Sequence, residues 1–454
     1  MALLLAGLVH AQPSALEAMT ASNIDRLWPE GSGVYSLTGN GVVVALTEPV
    51  QCRHREFGAY GVLSRRARPR IIVSNPETCT DGFSAAEVIH GTGVAGRIGA
   101  VGVEPAAVGV APLVTLHPSI RLAAAAAYGA LVVNNSTTSP AGRDDEAVAH
   151  PYLAVVQAAG NACSGACAGE YGNLAWAGQL KHAITVGAIL GFPAGRYAGA
   201  TSVVSTSTSS WGPAFDGRIK PDLVAVSRSA DGAGLRTPTG PEADAYGQIS
   251  GTSAAAPVVT GGLALLAEHA RRRFDIGTFR APTWKALLLH TAREAGPHGG
   301  PDYRFGYGLF DASAAVRVID EVAEGQGMIR EVQLADGDTL WLDVDGGPIV
   351  RATGAWTDPY ASTFDLVHDI DLRVVDADGT EHLPWTLDPR EPTAPALKAD
   401  NSRDVVEQVI VENGVPPYRL RITHKGRLRS PQWISLVVSS PSRPAKNKRS
   451  LHQK

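Results

Sequence analysis

Ser250-Gly251-Thr252-Ser253-Ala254-Ala255-Ala256-Pro257 sets a serine among small residues, just ahead of an apolar, helix-like run from Val258 to Leu266. A serine so placed has little steric cover, and its oxygen lies near the positive end of a helix dipole. That suits a nucleophile that a substrate carbonyl must reach. The same string also reads as an ordinary helix cap, because Ser and Thr are favoured there. Two partners upstream decide between the readings.

His90-Gly91-Thr92-Gly93-Val94-Ala95-Gly96 puts a histidine at the opening of a helix made almost wholly of Gly, Ala and Val. Each interior glycine costs a helix roughly 1 kcal/mol, so their density implies that something packs very close. The other partner is Gly41-Val42-Val43-Val44-Ala45-Leu46-Thr47-Glu48. Its apolar run reads as a buried parallel strand that delivers an acid at its C-terminal edge. A carboxylate there can fix the imidazole tautomer and stabilise the imidazolium formed when histidine takes the serine proton.

Carboxylate, then histidine, then serine is the chain order of subtilisin. The chain resembles the subtilisin-like serine proteases from about Gly31 to Ala315. The serine and histidine strings look like that family's two signature motifs. Further matches are Ala158-Ala159-Gly160-Asn161, Ile184-Thr185-Val186-Gly187-Ala188, Trp211-Gly212-Pro213 with Lys220-Pro221-Asp222-Leu223-Val224-Ala225, and Gly306-Tyr307-Gly308-Leu309-Phe310-Asp311-Ala312. The resemblance implies an α/β fold, peptide-bond hydrolysis, and Asn161 as side-chain donor of the oxyanion hole. An amide NH2 can serve there without a proton of its own to lose.

Three departures stand out. The family carries aspartate where this chain has Glu48. Counting back from His54-Arg55-Glu56-Phe57, which resembles a downstream landmark, lands on Thr47 instead; Glu48 is preferred because threonine cannot carry the charge. Asn134-Asn135-Ser136-Thr137-Thr138 replaces a Ser-x-Gly edge that pairs with substrate backbone, and threonine for glycine narrows that groove. Ala254 stands where a methionine usually follows the nucleophile.

The chain has 454 residues, 44% hydrophobic and 19% charged, with a formal net charge of −4. That describes a globular protein large enough for two or three domains. It gives no reason to expect a nucleic-acid partner. Residues 1–11 look like a truncated or misassigned secretory signal, with a plain N-terminal helix as the alternative, and no other run approaches a membrane span. About 20 residues separate Ala11 from the region where the resemblance begins near Gly31, too few for an independent pro-domain. The four cysteines fit export. Proximity pairs Cys163 with Cys167 and Cys52 with Cys79, with a zinc site as the alternative.

Apolar runs at Val42–Leu46, Ala130–Val133, Leu153–Ala159 and Ala183–Leu190 alternate with Ala/Gly-rich helical stretches, giving a three-layer parallel-sheet domain over 12–325. Two helices, Trp284–Glu294 and Ala312–Val322, close it. After Gly325 the pattern changes to period two: Thr339–Val344, Asp371–Val375, Val405–Val411, Tyr418–Thr423 and Trp433–Val438. That predicts an antiparallel, jelly-roll-like β-sandwich over 326–441. It resembles the C-terminal β-domain of some subtilisin-like proteases, through Ala355-Trp356-Thr357-Asp358-Pro359 and Asp369-Ile370-Asp371-Leu372. Asp365, Asp369, Asp371, Asp376 and Asp378 supply oxygens that suit either calcium, centred on Asp369 and Asp371, or solvated turns. Residues 442–454 form a basic tail, expected to be disordered.

These readings converge on a secreted or periplasmic serine endopeptidase acting on polypeptides through Glu48, His90, Ser253 and Asn161, with no cofactor required for the chemistry. The alternative is a binding or scaffold protein on a protease fold, motivated by Glu48 and the altered substrate edge.

Overall fold

The computed structural model describes residues 14–28, 35–58, 70–72, 79–142, 144–162, 171–193, 195–361 and 365–440. The proposed signal segment, Cys163 and Cys167, and the basic tail lie outside the described residues.

The first part runs α1 (Ser14–Ala21), β1 (Val43–Leu46), α2 (Ala85–Gly99), β2 (Thr115–His117), α3 (Leu122–Ala127), β3 (Val132–Asn135), α4 (Asp144–Ala149) and β4 (Ala154–Ala158). It continues through β5 (Ile184–Leu190), β6 (Leu223–Arg228), β7 (Leu235–Pro238), β8 (Tyr246–Ile249), α5 (Thr252–Arg273), α6 (Ala281–Thr291) and α7 (Ala312–Ala323). Valine- and alanine-rich strands suit a sheet covered on both faces. Here they form one parallel sheet in the order β2-β1-β3-β4-β5-β6. The order reverses between β1 and β3, where Ala45 lies beside Val133 and Leu46 beside Asn134. In open α/β sheets the crevice beyond the strand C-termini at such a reversal is where ligands bind.

Two helix starts differ from the sequence expectation. Helix α2 begins at Ala85, not at His90, because Ser84 and Glu87 form a reciprocal capping box. His90 therefore sits in the second turn. Helix α5 begins at Thr252, well before Val258, and carries Pro257 inside it. The preceding Gly251 has φ 74°, a left-handed turn that glycine adopts without strain.

The second part is a sandwich of two antiparallel four-stranded sheets. Its strands are β9 (Met328–Leu334), β10 (Leu340–Val344), β11 (Ile349–Trp356), β12 (Asp369–Val375), β13 (Glu381–His382), β14 (Trp385–Thr386), β15 (Leu397–Lys398), β16 (Val406–Glu412), β17 (Tyr418–Lys425) and β18 (Gln432–Ser439). One sheet is β10-β17-β12-β13, the other β16-β11-β18-β9, and β14 pairs with β15 alone. Strands β9 and β11 escaped the sequence reading because neither alternates cleanly. Helix α6 packs on β11 and β18, so β11 is covered on both faces.

The two parts meet across a polar seam. His290 of α6 bonds Thr353 Oγ1 (3.0 Å) and Ser439 Oγ (2.8 Å) through its two ring nitrogens. Lys181 Nζ reaches Asp358 Oδ2 at 2.6 Å, and Ile219 N–H donates to Asp404 Oδ1 at 2.8 Å. Asp222 is flanked by Lys220 (2.5 Å) and Lys285 (2.9 Å).

Candidate active site

Three neighbouring strands each deliver one group at a C-terminal end. Beyond β1 comes Glu48, beyond β3 Ser136, and beyond β4 Asn161. Glu48 and Ser136 flank the reversal in strand order. The acid's Oε1 accepts from Ser136 N–H at 2.6 Å, and Thr47 Oγ1 lies 3.1 Å from Oε2. Glu48 is 2% exposed. Burial disfavours its charged form more strongly than these hydrogen bonds favour it, so its pKa is pushed up from 4.5 to about 7. Thr47, the other candidate for the acid's place, bonds Asn135 Oδ1 at 2.7 Å.

The glycines of α2 explain how the histidine helix reaches this acid. A Cβ on Gly91 would lie 2.0 Å from Pro49 O and 2.8 Å from Glu48 Cβ, so only glycine permits the contact. His90, one residue earlier, is half-buried, and burial lowers its pKa. Among the described residues its ring makes no hydrogen bond.

Ser253 is the second residue of α5 and 8% exposed. Its Oγ donates to Ser136 O at 3.0 Å. In return Ser136 Oγ donates to Ser253 O at 3.2 Å. The second bond has a clear cause. In an α-helix the carbonyl of Ser253 would accept from the N–H of residue 257, but Pro257 has none. Ser136 satisfies the carbonyl that Pro257 leaves open. Its backbone N–H meanwhile holds Glu48, so one residue touches both the acid and the nucleophile's segment. Sequence reading noted Ser136 only as part of the substrate edge. A proline four residues after a candidate nucleophile was the available signal.

Asn161 faces the same helix end. Its Oδ1 accepts from Thr252 N–H (2.9 Å) and Thr252 Oγ1 (3.1 Å), taking up one of the helix's open donors. That orients the carbonyl side of the amide inward and leaves Nδ2 as the outward donor. Gly251 makes the approach possible, since a Cβ there would lie 2.8 Å from Asn161 Oδ1. The segment carrying Ser136 is stapled in place. Asn134 Oδ1 accepts from Thr260 Oγ1 at 2.8 Å, and Asn135 Nδ2 donates to Gln157 Oε1 at 2.7 Å. Thr138, expected to narrow the groove, is exposed.

Elsewhere, Cys52 and Cys79 form the disulfide that proximity suggested, between the acid and histidine segments. The aspartates considered for calcium have cationic partners: Lys425 Nζ lies 2.6 Å from Asp371 and 3.4 Å from Asp369, and Arg373 bonds Asp371 at 2.9 Å. Among the described residues, no group of three or more His, Cys, Asp or Glu side chains is arranged to hold a metal ion. Nor is any described helix long and apolar enough to cross a membrane.

A parallel sheet read at its strand reversal, with a serine on the opening turn of the buried helix that crosses it, defines a hydrolase-like site. The subtilase (peptidase S8) family model matches residues 71–308, and the chain belongs to that family of serine-type peptidases. The matched span contains His90, Asn161 and Ser253; Glu48 lies ahead of it. Among solved structures, a mutant of the protease domain of PatA is similar, with 21% identity and a TM-score of 0.43. The likeness covers 63% of this chain and 98% of that one. No match was found among curated proteins.

Proposed function

We propose that the chain is a secreted or periplasmic serine endopeptidase in which Glu48, His90 and Ser253 act as the triad and Asn161 supports the oxyanion. The observation that carries this reading is Asn161 bonded to Thr252, next to Ser253, at the N-terminus of α5 in a chain of the subtilase family.

Catalysis begins when rotation about the Ser253 Cα–Cβ bond frees Oγ from Ser136 O and turns it to His90. His90 takes the Oγ proton as Oγ bonds the substrate's carbonyl carbon. The carbonyl oxygen becomes an oxyanion, held by Asn161 Nδ2–H and by the backbone N–H of Ser253. The imidazolium returns its proton to the departing amine as the C–N bond breaks. Water then repeats the sequence on the acyl-enzyme. Glu48, ionised, would orient and stabilise the imidazolium. Because its pKa is raised to about 7, kcat/KM would rise with pH through that value. The chemistry in this reading requires no cofactor.

A second reading has an observation of its own: Ser253 Oγ is engaged by Ser136 O, and His90 bonds neither partner. It makes the chain a binding protein on a protease fold. Fluorophosphonate labelling of wild type, Ser253→Ala and Glu48→Ala separates the two. Endopeptidase chemistry requires labelling of wild type, none in Ser253→Ala, and slower labelling in Glu48→Ala. Folded wild type that fails to label would overturn it in favour of the binding protein.

A further inference from the structure

Asn161 is exposed, and it follows Gly160, whose φ of 114° lies in the half of backbone space that glycine favours. Such a glycine lets the chain turn but offers no side chain to hold the turn in place. Packing around Asn161 itself therefore does little to fix where its Nδ2 lies. A working oxyanion donor must be held to within about 0.5 Å. Thr252 fixes the other end of the amide, through Oδ1.

The main chain on both sides of Asn161 is held by one residue. Ser210 N–H donates to Gly160 O at 3.0 Å, and Ser210 Oγ accepts from Ala162 N–H at 3.2 Å. A Cβ on Gly160 would lie 3.0 Å from Ser210 Oγ, so the two segments run in contact.

Ser210 is fully buried, and its neighbours are anchored in turn. Ser209 Oγ accepts from Ala188 N–H of β5 at 3.0 Å. On the other side, Trp211 N–H donates to Asn173 Oδ1 at 2.8 Å, and Asn173 N–H donates to Trp211 O at 3.1 Å. The clamp on Asn161 is thus tied to the parallel sheet rather than to the turn it holds.

We propose that Ser210 is a positioning residue for the peptidase reaction, its amide and hydroxyl bracketing Asn161 so that Nδ2 meets the forming oxyanion. This rests on the endopeptidase reading, and Ser210 acts through Asn161 rather than on the substrate. The amide half of the clamp is backbone and survives substitution. Ser210→Ala removes one oxygen, and with it the acceptor for Ala162 N–H.

The test measures kcat and KM on denatured casein for wild type, Ser210→Ala, Asn161→Ala and the double variant, with urea midpoints showing that each is folded. Ser210→Ala should lower kcat about tenfold, a fraction of the roughly 10²–10³ lost in subtilisin with the donor itself. KM should stay within about twofold of wild type. In the Asn161→Ala background the same change should leave kcat nearly unaltered, because no donor remains to be misplaced. An unchanged kcat in Ser210→Ala overturns the proposal. So does an equal fall in both backgrounds, which is what a general loosening of the fold gives. Wild type that fails to label with a fluorophosphonate overturns the endopeptidase reading first, before any Ser210 variant is compared.

Discussion

The candidate active site and the seam beneath the sandwich both bury a carboxylate 2% exposed, with opposite electrostatic results. At the seam, Asp222 has Lys220 and Lys285 within 3 Å and a backbone N–H from Thr185, and its pKa is lowered. At the site, Glu48 has neutral donors, chiefly the Ser136 N–H and other backbone groups with the Thr47 hydroxyl, and its pKa rises to about 7. Opposite charge at contact distance outweighs desolvation; neutral donors do not. At the seam the cations hold Asp222 ionised, while burial lowers the pKa of Lys220 to about 7. The site holds an acid whose charge changes near neutrality.

Breaking the seam should have the larger effect. Asp222→Asn leaves two buried ammonium groups without their counter-charge, and should cost about 3–5 kcal/mol, read from the urea unfolding midpoint. A loss under 1 kcal/mol would mean that the lysines find other partners.

The next largest effect is at the oxyanion segment. Asn161→Ala should lower kcat about 10²–10³-fold with KM little changed, a magnitude that comes from subtilisin itself. Unchanged kcat would place the donor elsewhere.

Glu48→Gln sharpens the comparison through pH. A buried acid with a raised pKa binds more protons folded than unfolded, so wild-type stability should fall as pH rises from about 4.5 to about 7. The loss is up to about 3 kcal/mol. Glu48→Gln should lack that slope, so the variant gains on wild type between pH 5 and 8 in parallel denaturation series. Parallel curves would refute the assignment. Asp222→Asn should show the opposite sign, because a lowered pKa contributes stability that disappears on acidification.

The smallest effect tests the serine bridge. Ser136→Ala leaves Ser253 O without its donor, at about 1–3 kcal/mol. Pro257→Ala restores a helical N–H to that carbonyl, so Ser136→Ala should cost less in its presence. A double-mutant cycle with no coupling would separate the two residues.

Much of this architecture could be read from local patterns. Runs such as Ile184–Leu190 demand burial on both faces, and the alternation in Tyr418–Thr423 demands one wet face. Element ends were less legible. The start of α2 at Ala85 depends on a capping box, and α5 starts at Thr252, ahead of the apolar run from Val258 that marked it in the sequence. Strand β11 was missed because α6 covers its second face, which erases the alternation. For the site, His90, Ser253 and Asn161 were nameable from their motifs, and Glu48 from the end of a strand. Ser136 was not assigned a bridging role, because nothing in Asn134–Thr138 says which neighbour it faces.

The order of residues thus settles the parallel-sheet and sandwich patterns, the family, and the residue types at the site. These depend on periodicity and on short strings whose chemistry is local. The tertiary structure alone decides that Glu48 bonds Ser136 rather than a cation, that Ser136 replaces the donor Pro257 lacks, and that Ser210 brackets Asn161. Each of those depends on distance and burial between residues up to 117 positions apart, which no local pattern encodes.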